Sequence, residues 1–132
     1  MTVEKNLKKE IEKLNLLLND LSNSDKIDVR VELVLNPNCP IEILEKLSDD
    51  KSFYILQYVA NNPNCTVQLL NKITDISIQY NVGYISNNVL YNPKSTFYIL
   101  KKIYKHFKNE SSIINLDYLL SIHPNWKLKD FE

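Results

Sequence analysis

The tetrapeptide NPNC occurs at residues 36–39 and again at residues 62–65, and each copy leads into a short run of periodically spaced apolar residues. Two further prolines continue the series, so that Pro37, Pro63, Pro93 and Pro124 follow one another at intervals of 26, 30 and 31 residues. A turn that recurs every 20 to 50 residues or so is typical of a repeat array. The spacing therefore predicts one supersecondary unit repeated along the chain.

The residues around these prolines agree from unit to unit. Positions are numbered here from the proline of each unit. Apolar residues stand at −8 and −4 in all four units, namely Val29, Leu33, Ile55, Val59, Ile85, Val89, Leu116 and Leu120. Positions +4, +6, +7 and +10 are apolar in three units, namely Ile41, Ile43, Leu44, Leu47, Val67, Leu69, Leu70, Ile73, Phe97, Ile99, Leu100 and Ile103. Spacings of three and four mark one buried helical stripe, so we expect a helix on each side of every turn.

The turn residues explain why the helices stop there. Proline fixes its own φ and pushes the preceding residue out of the α region, which ends the incoming helix. Asparagine tolerates turn conformations and hydrogen-bonds nearby backbone amides. The motif is thus a helix stop followed by a helix start, with Pro40 suited to a first helical position and Ser95 to an N-cap.

Two segments depart from the regular unit. Residues 75–91 are longer than their counterpart in the preceding unit and contain the single glycine, Gly83, so we expect an extended or kinked helix there. The fourth unit is a remnant, HPNW at residues 123–126, and Trp126 is expected to cap it.

The N-terminal segment has its own pattern. Apolar residues follow the spacing 4, 3, 4, 3 of a heptad seam, at Leu7, Ile11, Leu14, Leu18 and Leu21. Two interpretations are open: a helix that caps the first repeat, or a helix that forms a homodimer. We divide the chain into an amphipathic capping helix, residues 1–24, and an α-solenoid, residues 25–132, which form one compact unit with the cap.

Composition excludes several classes of protein. The 132 residues are 44% hydrophobic with no net charge, which fits one globular domain and gives no reason to expect an anionic membrane. No apolar stretch approaches the roughly 20 residues of a membrane span, and no signal pattern is present, so we expect a cytoplasmic protein. Two cysteines do not make a disulfide scaffold.

No motif for catalysis or for a cofactor is present. Cys39, Cys65, His106 and His123 lack the paired spacing of zinc ligands, so no metal is expected. Phosphate loops, nucleophile elbows and HExxH motifs are absent, and the acidic pair Asp49–Asp50 reads as a solvated loop. We therefore expect a binding protein and not an enzyme.

Residues 51–109 hold seven basic side chains and one acidic, a net of +6. Five lysines fall within residues 94–108 with no acid among them: Lys94, Lys101, Lys102, Lys105 and Lys108. This run is compatible with a solvated face, an acidic protein partner or nucleic acid.

Tyrosine is the other candidate for contact with a partner. Tyr54 and Tyr84 both stand at −9, so stacked units would make them neighbours, and Tyr58 lies one turn from Tyr54. A row of tyrosines suits an interface, although half-buried tyrosines between layers fit the pattern equally well. Tyr54, Tyr58 and Tyr84, with Lys101 and Lys105 toward the basic side, are the predicted partner-binding residues.

The repeated turn, followed by a leucine-rich helix, resembles the leucine-rich-repeat variant family, most closely over residues 36–73 and more loosely over 25–126. The resemblance implies an all-α, short right-handed α-solenoid similar to HEAT repeats. The founding member of that family also carries a cysteine cluster for iron and sulfur. Nothing in this sequence matches that cluster, so the resemblance implies no redox role. Such a chain would bind another protein, as an inhibitor, immunity-type or regulatory protein of a bacterium or phage; the alternative is nucleic-acid binding through residues 94–108.

Overall fold

A computed structural model of the chain describes residues 2–127, and within that range it is all-helical, with eight α-helices and no strand. The helices are α1 (Val3–Ser22), α2 (Ile27–Leu35), α3 (Ile41–Leu47), α4 (Phe53–Asn61), α5 (Val67–Tyr80), α6 (Gly83–Tyr91), α7 (Phe97–Phe107) and α8 (Leu116–Ile122). The predicted all-α class is confirmed. Residues 128–132 of the predicted second segment lie outside the described range.

Two predicted helix starts are wrong by one residue. Thr96 and not Ser95 is the N-cap of α7, because the Ser95 hydroxyl donates instead to the carbonyl of Val89. Pro40 is the N-cap of α3 and not its first residue.

The seven helices after α1 fall into two sets. Helices α2, α4, α6 and α8 precede the prolines, and neighbouring members contact one another in chain order. Helices α3, α5 and α7 follow the prolines, and α5 contacts α7. The sets pack on each other through α3 with α4, α4 with α5, α5 with α6, and α6 with α7. The core lies between them.

The predicted apolar positions account for most of this core. Positions −4, +6, +7 and +10 are buried throughout, and −8 is buried in all units except the first, where Val29 is half-buried. Position +4 differs: Ile41 and Val67 are exposed. Each is the first residue of its helix and lies at the edge of the stripe. The four-position stripe is therefore a three-position stripe in these units.

The turns lie side by side and are joined by hydrogen bonds from position −1. The side-chain Nδ2 of Asn62 donates to the carbonyls of Val34 at 2.7 Å and Asn36 at 3.0 Å. Asn92 repeats this one unit later, with its Nδ2 donating to the carbonyl of Ala60 at 2.8 Å. Within each turn the asparagine Oδ1 also accepts the backbone N–H two residues on. The side-chain amide at position −1 therefore stabilises its own turn through Oδ1 and, in Asn62 and Asn92, joins that turn to the preceding unit through Nδ2.

His123 makes the same two bonds at the fourth turn. Its Nδ1 accepts the N–H of Asn125 at 3.1 Å, and its Nε2 lies 3.0 Å from the carbonyl of Asn92. Because Nδ1 accepts, Nε2 carries the proton and donates. The histidine therefore reproduces the donor and acceptor of an asparagine.

Position +1 provides a second row of bonds between turns. Each side chain donates to the carbonyl of the previous proline: Asn64 to Pro37 at 2.7 Å, Lys94 to Pro63 at 2.6 Å and Asn125 to Pro93 at 3.0 Å. The lysine in the third unit replaces asparagine without losing the contact.

The only arginine of the chain forms a buried ion pair. Arg30 donates from Nε to Asp50 Oδ2 at 2.8 Å and from a terminal nitrogen to Oδ1 at 3.2 Å, and both side chains are more than nine-tenths buried. A further Arg30 nitrogen donates to the carbonyl of Ser24 at 2.7 Å. The expectation of a solvated Asp50 was wrong, because its partner lies 20 residues away in sequence.

The glycine marks a close approach and not a kink. The extended or kinked helix predicted over residues 75–91 is instead two helices, because α5, although 14 residues long, ends at Asn81 in the left-handed region with φ 55°. Gly83 then begins α6, and a Cβ there would lie 2.6 Å from the carbonyl oxygen of Ser112. The connection between α7 and α8 thus passes directly over the glycine.

Helix α1 packs on α2 and α3 through its C-terminal end. Leu18 and Leu21 rest against the core and Ser22 is buried, whereas every residue from 2 to 17 is exposed. The capping contacts therefore involve only the last turns of a 20-residue helix. In the described part of the chain, neither α1 nor any other helix is long and apolar enough to cross a membrane.

A candidate partner-binding face

Tyr54 and Tyr84 form an exposed pair on adjacent helices. Their rings are stacked with centroids 5.9 Å apart and an interplanar angle of 25°. Tyr54 is 59% exposed and Tyr84 is 42% exposed. Partial burial, with the neighbouring Tyr54 as a smaller contribution, raises the pKa of Tyr84 above its usual value. The prediction that these two residues are neighbours is confirmed.

Polar side chains hold the two helices in this register. The Nδ2 of Asn88 on α6 lies 3.2 Å from Oε1 of Gln57 on α4, and donates also to the carbonyl of Tyr84 at 2.9 Å. This bond lies one turn along from the stacked rings. The hydrogen bond between Asn88 and Gln57 thus helps to keep the two tyrosines side by side.

Tyr58 occupies a different environment. It is half-buried and packs against the hydrophobic core. Of the three tyrosines predicted to bind a partner, two therefore form the exposed pair, and the third also contributes to packing.

The exposed surface continues on either side of this pair. Positions −9, −6, −5 and −2 share one helical face, since they are separated by three, four and seven residues. Large exposed residues at these positions define what we call the tyrosine face: Leu35, Tyr54, Tyr84, Tyr91, Tyr118 and Ile122. The same alignment on the prolines places the other four at −2 and −6, which is the sequence signal that identifies them: Leu35, Tyr91, Ile122 and Tyr118.

Charge is unevenly placed on the tyrosine face. Helices α4 and α6, at its centre, contain no charged residue. On α2 the face positions carry two exposed carboxylates, Asp28 and Glu32. The face is therefore neutral at its centre and acidic toward α2.

Lys101 and Lys105 lie on the other set of helices. Both belong to α7, where Lys101 is half-buried and Lys105 is exposed. Helix α7 packs on α5 and α6. The predicted lysines and tyrosines thus come from different helix sets.

Two lysines of the 94–108 run are bound within the fold. Lys102 Nζ lies 2.6 Å from Asp75 Oδ1 and 2.6 Å from Asn71 Oδ1, and Lys94 makes the bond between turns described above. Lys102 stands at position +9, as do Lys72 and Lys46, and each of these lysines binds a side chain 23 to 31 residues earlier in the sequence. Lys72 pairs with Asp49 at 2.6 Å, and Lys46 with the side chain of Asn19 at 2.8 Å. Two of the five lysines in residues 94–108, Lys94 and Lys102, therefore have a role in holding neighbouring units together.

The cysteines and histidines do not gather into a site. Cys39 and Cys65 are buried, and burial raises the pKa of their thiols to about 11 and about 12 respectively. His106 hydrogen-bonds Asn81 at 2.9 Å, and His123 lies in the fourth turn. Across residues 2–127, no three His, Cys, Asp or Glu side chains are grouped as metal ligands would be.

The concave spaces are shallow grooves at the helix ends. One of about 420 Å³ lies between α1 and α3, and another of about 420 Å³ lies beside Phe53 and Tyr80. Arg30 and Asp50 border a smaller polar groove of about 240 Å³. The tyrosine face is separate from these three, whereas a fourth groove of about 400 Å³, between the end of α7 and the start of α8, is lined in part by its Tyr118.

Comparison with protein-family models gives no match for this chain, and neither the curated proteins nor the solved structures include one with significant similarity to it.

Proposed function

We propose that this protein is a non-enzymatic protein-binding module, built as a short right-handed α-solenoid, that recognises its partner through the tyrosine face. Support for the solenoid comes from the hydrogen bonds that connect each turn to the one before, and from the resemblance of that turn to the leucine-rich-repeat variant motif. Stacked units present an extended surface, which suits a macromolecule better than a small substrate.

One observation carries the proposal: two large aromatic side chains lie stacked and exposed on helices without a charge. Tyrosines offer a large apolar area together with a hydroxyl, and they are enriched among residues that dominate binding energy. Depletion of charge is likewise characteristic of interface centres. The carboxylates on α2 favour a partner that is neutral at the centre of contact and basic at one edge.

The test compares two variants that remove exposed tyrosine from different helix sets. Tyr54→Ala combined with Tyr84→Ala removes the stacked pair. Tyr98→Ala removes a tyrosine of similar exposure from α7 and serves as the control. Immobilised wild-type protein and both variants are incubated with extract of the source cell, and retained proteins are compared.

We expect a set of proteins held by wild type and by Tyr98→Ala but lost from the double variant. Hot-spot residues contribute about 2 kcal/mol or more, equivalent to roughly 30-fold in affinity. Thermal unfolding of the double variant should stay near that of wild type, because the stack alone contributes about 1 kcal/mol. Equal retention by all three proteins would contradict the proposal.

Duplex DNA is the competing ligand suggested by residues 94–108. Lys94 and Lys102 are engaged by the fold, which leaves fewer lysines to neutralise phosphates. We expect no measurable affinity for duplex DNA at low salt. Binding that weakens steeply with salt and is lost in Lys101→Ala with Lys105→Ala would instead favour nucleic acid.

A further inference from the structure

Helix α1 carries an exposed apolar stripe. Its members are Val3, Leu7, Ile11, Leu14 and Leu17, with exposed fractions of 84%, 59%, 49%, 53% and 54%. At 100° per residue they span an arc of roughly 120° on one side of the helix, and Leu18 and Leu21 continue the same arc onto the core. Leu16 is also exposed but lies on the opposite side.

We propose that a second copy of this chain covers the α1 stripe, with the two α1 helices packed antiparallel. The spacing 4, 3, 4, 3 is that of helices that interlock along a shared seam. Placing Ile11 opposite Leu14 of the other copy also places Leu7 opposite Leu18. Each copy then covers the stripe of the other.

The antiparallel direction follows from the shape of the protomer. The remaining helices are attached at the C-terminal end of α1, while residues 2–17 are exposed. Those 15 or so residues extend roughly 22 Å. Antiparallel helices place the two helical bodies at opposite ends of the pair, whereas parallel helices would bring both bodies to the same end.

Charge at the edge of the stripe agrees with this direction. Glu10 lies within the arc near one side of it, Lys13 lies just outside that side, and the two form an ion pair at 3.2 Å within the helix. In an antiparallel pair the same edges of the two helices meet, so Glu10 approaches Lys13 of the other copy. Residues 3–17 contain four lysines and three glutamates, which is too balanced to favour an anionic membrane.

The groove between α1 and α3 extends the contact surface. It has a volume of about 420 Å³, and its lining includes Leu18, Pro40 and Ile43. The exposed Ile41 lies beside it in sequence. In the antiparallel arrangement the first turns of the other copy's α1, with Val3 and Leu7, reach this groove. Asn15, Asn19, Glu42 and Lys46 also line this groove, so the stripe continues into a surface that is partly apolar and partly polar.

The contact area is small, since two helices of this length fall at the low end of specific interfaces. We therefore expect a reversible dimer with a dissociation constant on the order of micromolar. Sedimentation equilibrium of the full chain over 1 to 500 µM or so measures it directly. The mass should rise from 15.5 kDa toward twice that value.

Matched variants test whether dimerisation depends on the stripe or on any exposed apolar residue of α1. Ile11→Lys with Leu14→Lys should stay monomeric at every concentration, a loss of at least tenfold in association. Leu16→Lys should dimerise like wild type. All three positions are exposed, so none of these changes should reduce the helical circular dichroism. A monomeric wild type, or a dimer that survives Ile11→Lys with Leu14→Lys, would overturn the proposal.

A distance between spin labels tests the direction. Labels on a cysteine introduced at Glu4, which lies at the edge of the stripe, would be roughly 27 Å apart in the antiparallel pair and roughly 10 Å apart in a parallel one. The two native thiols are buried, so the introduced cysteine is labelled selectively. The shorter distance would refute the antiparallel arrangement. Binding of the wild-type monomer to vesicles of phosphatidylserine and phosphatidylcholine would assign the stripe to membranes instead.

Discussion

Replacing Asn62 by alanine removes the side chain that joins the second turn to the first. The Asn62 amide is buried and makes three hydrogen bonds. Nδ2 donates to the carbonyls of Val34 and Asn36, and Oδ1 accepts the N–H of Asn64. The first two bonds span turns 26 to 28 residues apart in sequence, and the third lies within one turn.

The cost of this change follows from the state of each partner after the substitution. A hydrogen bond contributes about 1 kcal/mol net, and a buried polar group left unpaired costs about 1 to 3 kcal/mol. The carbonyl of Asn36 also accepts the N–H of Cys39, so it keeps a partner. The carbonyl of the fully buried Val34 loses the amide donor. We therefore expect Asn62→Ala to lower the free energy of unfolding by about 3 kcal/mol.

Asn36→Ala is the matched control. Asn36 stands in the same turn motif and its Oδ1 accepts the N–H of Asn38, but within residues 2–127 its amide makes no bond to an earlier turn. It should cost about 1 kcal/mol. Urea unfolding followed by circular dichroism measures both, and a difference of about 2 kcal/mol is the contribution of the bonds between turns. Equal losses would refute the claim that these bonds stabilise the stack.

Four further substitutions and conditions test other parts of the fold. His123→Asn should leave the free energy of unfolding nearly unchanged in urea titrations, because asparagine supplies the same donor and acceptor, whereas His123→Ala should lose about 2 kcal/mol. Arg30→Ala strands a buried carboxylate and should cost about 3 to 5 kcal/mol; a loss below 1 kcal/mol would mean that water reaches the pair. Gly83→Ala should lower the melting temperature, since the added methyl overlaps the backbone of the α7–α8 connection, and an unchanged melting temperature would contradict that close approach. Burial raises the thiol pKa of Cys39 to about 11 and that of Cys65 to about 12, from about 9 in the unfolded chain, so the unfolded chain loses these protons first as pH rises. The free energy of unfolding in urea titrations should therefore fall as pH rises above 9, and it should fall less in the variant with both cysteines replaced by serine.

The helical layout was predictable because its causes are local. Proline restricts its own φ and the residue before it, and apolar spacing of three and four identifies a helical face without reference to the rest of the chain. The helices on both sides of the turns therefore lie where the pattern predicts. The Tyr54–Tyr84 contact also followed, because equal positions in adjacent units become neighbours.

The candidate face was predictable only in part. Exposure of Tyr54 and burial of Tyr58 depend on how α4 is rotated against its neighbours, which one helix does not reveal. The separation of Lys101 and Lys105 from the tyrosines depends on which helix set carries each residue. A count of charges along the chain combines residues of both helix sets, whereas in the fold the lysines of α7 and the tyrosines of α4 and α6 belong to different sets.

By itself the sequence determined which residues repeat and that helices flank the turns, because torsional restriction and helical period act over a few residues; the exact first residues of α3 and α7 differ by one from those predicted. The tertiary structure alone decided the partners of the polar side chains. Asp50 pairs with Arg30, Lys102 with Asp75, and Gly83 lies under Ser112. It likewise left most of the α1 stripe exposed. Such contacts join residues 20 to 29 positions apart, and their energies depend on burial and distance, which exist only once the helices have packed.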